Sequence, residues 1–161
     1  MNGNGVEQAL ARLVDAINLY RLQPTRMTGL LADEATDALV AGWDSPALRQ
    51  LAGASSTDNL WALDALVDDV TSELNLPTTA PGEGREVQAA AAMCRRALRG
   101  EVELREVARW AHQVIGHEGP QALRPIVELD DQYDIADIGP LTFAEVEELA
   151  QRTVTRLATS L

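Results

Sequence analysis

The amino-acid sequence predicts an all-α fold: a compact single-domain bundle of about seven or eight helices. Three observations lead to it. Apolar residues recur at helical spacing along most of the chain. Ser, Thr, Asp, Pro and Gly stand where such runs should begin and end. No stretch combines β-branched and aromatic residues with the period of two that a strand requires. At 161 residues the chain suits one domain, residues 1–161, large enough to bury a core. Aromatic residues make up only 4%, so that core must be built from Leu, Val, Ala and Ile.

Taken in order, Met1–Gly5 is small and polar and is expected to fray. Val6, Leu10, Leu13, Val14 and Ile17 then share one helical face, and Pro24 ends that helix near residues 20–22. Thr28 is the expected cap of a second helix carrying Leu30, Leu31, Ala35 and Leu39, with Asp33 and Glu34 near its positive end. The sharpest local code follows, G-W-D-S-P-A-L-R-Q-L-A-G at residues 42–53. Gly42 can close the second helix in a left-handed conformation. Asp44 or Ser45 can cap a short helix opened by Pro46, with Leu48 and Leu51 on one face and Gly53 as its stop. Trp43 is placed to plug the junction.

Leu60, Leu63, Leu66, Val67, Val70 and Leu74 make the clearest amphipathic run. Pro77–Gly84 is a turn-rich internal linker. Beyond it, Val87, Ala91, Cys94 and Leu98 mark an Ala-rich helix closed by Gly100. A helix over Leu104–Ile115 ends at Gly116, and a short segment spans Gln121–Leu129. Asp130–Gly139 reads as an acidic loop. Thr142 and Glu145 form a capping box for the last helix, whose apolar face is Val146, Leu149, Ala150, Val154 and Leu157.

The W-D-S-P-A-L-R-Q-L-A-G run at residues 43–53, E-L-N-L-P at 73–77, and Gly100 paired with I-V-E-L-D-D at 126–131 resemble motifs of a group of small, acidic helical proteins of high-GC actinobacteria. That group is uncharacterised. The resemblance covers most of the chain from Trp43 to Asp134 and implies a source, without an activity.

Composition excludes several function classes. All 13 basic residues are Arg. Schiff-base, phosphate-loop and general-base lysines are therefore out. The formal charge of −12 repels nucleic acid phosphates and anionic membranes and attracts basic partners. Solubility alone also explains such a charge. No apolar run approaches the ~20 residues needed to cross a bilayer. One cysteine, no evident signal segment and no spanning run point to the cytoplasm.

Chemical motifs are lacking. His117-Glu118 is not followed by the second His of H-E-x-x-H, and no His or Cys cluster stands at metal-ligand spacing. No catalytic residue, metal or cofactor is expected. Cys94 falls on an apolar stripe, where cysteine is a small hydrophobe rather than a nucleophile for His112. Asp64, Asp68 and Asp69, and Asp130, Asp131, Asp134 and Asp137, are the densest acidic groups. Solvated faces are the plainer reading of both, and partner binding the functional one. Between Arg124 and Arg152 the chain carries eight acids and no base, while Arg85, Arg95, Arg96, Arg99, Arg105 and Arg109 concentrate around Gly100.

The resulting expectation is a non-catalytic, acidic protein-interaction module, of inhibitor, immunity or regulatory type, whose partner is a protein with a basic surface. A homodimer through the Arg95–Arg99 region is a further option, with no nucleic acid and no membrane as partner. The alternative is a small-molecule-binding or enzymatic domain with a pocket lined by Trp43, Arg109, Trp110 and His112.

Overall fold

A computed structural model describes residues 3–160. Among these the chain forms eight α-helices, one 3-10 turn and no strand. The helices are α1 (Gly3–Leu22), α2 (Pro24–Val40), α3 (Pro46–Leu51), α4 (Leu60–Glu73), α5 (Glu83–Leu98), α6 (Leu104–Val114), α7 (Arg124–Asp134) and α8 (Phe143–Ser160), with the 3-10 turn at Gln121–Leu123. Among the described residues no helix is long and apolar enough to cross a membrane. The fold is all-α, as the periodicity predicts. Contacts group the chain into two compact units, residues 1–80 and 81–161, and the division falls inside the predicted linker.

In the first unit α1 and α2 lie side by side, and α3 packs on both α2 and α4. Leu13, Ile17, Tyr20, Leu31, Ala35, Leu48, Leu51, Val67 and Val70 form its core. The junction at residues 42–53 behaves as its residue types require. Gly42 adopts φ 106°, which only glycine takes without strain, and turns the chain out of α2. The Ser45 hydroxyl accepts the Leu48 N–H at 3.2 Å, with Pro46 opening the helix. The Glu73 carboxylate reaches back from α4 to accept the Ala47 N–H at 3.0 Å, satisfying a second free amide of α3. Trp43 packs against the core and its indole N–H donates to the Val6 carbonyl at 2.8 Å, tying the junction to α1.

Four expectations are corrected. Met1 and Asn2 of the expected frayed end lie outside the described residues, but Gly3–Gly5 already belong to α1. Helix α2 starts at Pro24, four residues before Thr28. Proline tolerates a first helical turn, so Pro24 opens the second helix as well as ending the first. Thr28 is buried inside it, with its hydroxyl donating to the Pro24 carbonyl at 2.9 Å. Glu34 is consequently mid-helix and buried, and it meets Arg12 of α1 at 3.2 Å. Helix α5 begins at Glu83, inside the linker assigned to residues 77–84.

The fourth correction matters most. Asp130–Asp134 are not loop but the last turn of α7, which opens at Arg124 with Pro125 in its first turn. Loop structure begins only at Ile135.

In the second unit α8 packs on α5, α6 and α7, and α6 packs on α7. Ala89–Cys94 of α5 are buried on every side. Their small side chains let neighbouring backbones approach closely. Burial pushes the Cys94 thiol up to about 12, so it stays protonated and inert as a core residue. Glu103 and Glu106 form a capping box for α6 that the Ser/Thr signature does not flag. Thr142 and Glu145 form the predicted one for α8, the Thr142 N–H donating to Glu145 at 2.8 Å.

Candidate functional site

Of the residues of the alternative pocket, Trp43 belongs to the first unit and Arg109, Trp110 and His112 to the second. Trp43 holds the α2–α3 junction of the first unit. Trp110 is buried in the second unit. Arg109 is exposed on α6, and His112 is half-buried near the end of that helix.

The acids of α4 divide by their contacts. Asp64 accepts the Tyr20 hydroxyl at 3.0 Å and Asp68 meets Arg21 at 2.7 Å, so both fasten α1 to α4. The hydrogen bond crosses a partly buried gap, and burial together with Asp64 pushes the Tyr20 phenol above its ordinary value. Asp69 instead lines an open groove of about 500 Å³ between the end of α3 and α4. Small and apolar residues such as Ala54, Ala62, Ala65 and Leu66 line it together with Gln50 and Asn59, and Asp58 and Asp69 are its charged groups, with no basic side chain. On the same helix, α4, Trp61 is 85% exposed. Ala65, one turn on from Trp61 along α4, lines the groove. The sequence signal for Trp61 was available: it lies out of phase with Leu63, Val67 and Val70, on the solvent side of the amphipathic run.

The second cluster lies in the other unit. Because Asp130 and Asp131 are helical, α7 presents them to α6 and to the turn that follows it. His112 Nδ1 and Asp130 Oδ2 are 2.8 Å apart, and His117 Nε2 lies 3.5 Å from Asp131 Oδ2. The two imidazoles meet edge to face, ring centres 4.9 Å apart. Gly116 makes this possible, adopting φ 70° and turning the chain back after α6. Asp134 pairs with Arg105 at 3.3 Å, and the Arg105 guanidinium lies over the Tyr133 ring. Asp137, itself at φ 66°, accepts the Phe143 N–H at 3.0 Å and helps cap α8. All four acids predicted as a solvated loop therefore have partners in this unit. Around Gly100, Arg96 and Arg99 both engage Glu101, at 3.1 and 2.6 Å. Arg95 donates to the Ala158 carbonyl at 3.3 Å.

The hydrogen bond that the His112 imidazolium donates to the Asp130 carboxylate raises the His112 pKa above the ordinary value. Partial desolvation opposes the rise, and the charges of Asp131 and Asp134 add to it. Such a group favours the folded state when protonated. Its contribution is complete below the unfolded value, about 6.5, and is lost as pH climbs through the higher folded value. An NMR titration of the His112 ring is expected to give a midpoint above about 6.5 that falls in Asp130→Asn. An unchanged midpoint in that variant would show that the contact does not hold the proton.

No protein-family model, curated protein or solved structure matches the chain.

Proposed function

We propose that the protein is a non-catalytic interaction module whose first unit receives a basic, amphipathic segment of a partner protein on the face formed by α3 and α4. The observation that carries this reading is Trp61. A tryptophan side chain buries 150–250 Å² when covered, roughly, and is enriched at protein interfaces for that reason. In a chain with three tryptophans, the one left 85% exposed stands on α4, one helical turn before Ala65 of the groove. The partner's chemistry follows from the rim. Asp58 and Asp69 border the groove and the whole chain carries −12, so a cationic segment is attracted and an anionic one repelled. Nucleic acid and anionic membranes are disfavoured on the same ground, and a cytoplasmic setting accords with the free Cys94. Self-association through Arg95–Arg99 has less to support it, since Arg96 and Arg99 already face Glu101.

The test uses two synthetic helical peptides with the same apolar pattern, one with Arg and one with Glu at its polar positions, titrated into the full chain by calorimetry. The Arg peptide is expected to bind and to weaken as salt rises. Trp61→Ala is expected to cost about 2 kcal/mol or more, roughly a 30-fold loss. Equal binding of both peptides, binding of neither, or full binding by Trp61→Ala would each overturn the reading.

A further inference from the structure

We infer that His112, His117 and Asp131 form a binding site for one divalent transition-metal ion of the zinc type, with Asp130 as the group that positions His112. The three side chains each offer a ligand atom, and these atoms lie within 4.8 Å of one another. In a tetrahedral zinc site with bonds of about 2.0–2.1 Å, neighbouring ligand atoms stand about 3.4 Å apart. Closing the observed cluster to that spacing takes a shift of little more than 1 Å, by rough comparison of the two spacings. The His117 and Asp131 side chains are free to make it, being 51% and 50% exposed.

The surroundings match what such ions require. A metal-bound histidine commonly gives its other ring N–H to a carboxylate, which fixes the tautomer and raises the basicity of the ligating nitrogen. His112 has that arrangement already: Nδ1 faces Asp130, itself largely covered at 13%, and Nε2 is left for the ion. Two imidazoles and one carboxylate suit Zn²⁺, Ni²⁺ or Cu²⁺. Ca²⁺ and Mg²⁺ are poor fits, because they want six or more oxygen ligands or an octahedral shell. Three protein donors leave a fourth position open to water or to a donor from another molecule. The ion would join the turn after α6 to the last turn of α7.

The linear sequence hides this site. His112 and His117 are five residues apart, and Asp131 follows fourteen later, which is no recognised ligand spacing. The pattern emerges only because α6 and α7 lie side by side.

The experiment is a calorimetric titration of the full chain with Zn²⁺, repeated for His117→Ala, Asp131→Asn, Asp130→Asn and, as a control outside the cluster, Asp69→Asn. Circular dichroism checks that each variant is folded. The wild type is expected to bind one equivalent, with the His112 and His117 ring resonances shifting together in NMR. Asp130→Asn should weaken binding about 10–100-fold, the range seen when such a positioning group is lost. His117→Ala and Asp131→Asn should weaken it at least as much, and Asp69→Asn should leave it unchanged. Wild-type binding no tighter than that of His117→Ala would overturn the assignment. So would Zn²⁺ binding that leaves the two imidazole signals unmoved.

Discussion

Leu48→Ala is expected to destabilise the protein by about 2–5 kcal/mol, the range for truncating a fully buried leucine. Helix α3 is only six residues long. That is far below the length at which a helix stands alone, so packing must supply its stability. Leu48 and Leu51 are both 0% exposed and belong to the same core as Leu13, Leu31, Val67 and Val70. Removing the Leu48 side chain leaves a hole where α3 meets its neighbours. The Ser45 and Glu73 contacts to its amides then fasten a helix that has lost half its anchor. Leu48→Met keeps most of the volume and should lose less than about 1.5 kcal/mol. Urea unfolding followed by circular dichroism measures both. A loss with Leu48→Ala no greater than with Leu48→Met would mean that α3 is not held by this side chain.

What could be read from the chain divides along a physical line. Local rules worked where one residue type has one structural use. Gly42, Ser45-Pro46 and Thr142–Glu145 act at helix ends as their chemistry dictates, and Leu63, Val67 and Val70 of α4 are buried where their period puts them, while Leu60, at the first position of that helix, is left 38% exposed. They failed where a residue has two uses. Pro24 reads as a stop and is also a start, which is why the expected cap falls at Thr28 and the observed helix opens at Pro24. Asp130 and Asp131 were read as loop because charge accumulates there. Yet Ile126, Val127, Leu129 and Tyr133 are buried at helical spacing, and the last turn of α7 runs through the acids.

The loop assignment also hides the neighbours of the two histidines. A carboxylate assigned to a loop has no fixed neighbour, so the linear spacing of His112 and His117 does not disclose that Asp130 and Asp131 face them. Trp61 has no assignment from motif or capping rules. The phase of each tryptophan relative to buried leucines separates Trp61, turned to solvent, from Trp43 and Trp110, which are part of the scaffold. Side-chain pairing across helices, such as Tyr20 to Asp64, leaves no mark in a single sequence, because neither residue type specifies its partner.

The same α6–α7 turn gives the second large effect. Gly119→Ala is expected to cost about 1–3 kcal/mol, as forcing an extra methyl group into packed structure does. A Cβ built at position 119 would lie 2.4 Å from Ile115 Cγ2, and 3.2 and 3.3 Å from the carbonyl oxygens of Ile115 and Gly116. The first contact cannot be relieved by swinging a flexible end, because Cγ2 is attached directly to a β-branched carbon. The other two are backbone, and the Gly116 carbonyl already accepts the Gly119 N–H at 3.2 Å. The turn must therefore open, and His117 lies within it. Its edge-to-face contact with His112 should weaken, which NMR cross-relaxation between the two rings would show. Ile115→Ala supplies the check. On its own it is destabilising, since Ile115 is only 9% exposed. Combined with Gly119→Ala it removes the atom struck by the new methyl, so the double variant should be more stable than the sum of the single losses allows, by roughly 0.5 kcal/mol or more. Strict additivity would mean that the two positions do not collide and that the turn owes its shape to something other than the missing side chain at 119.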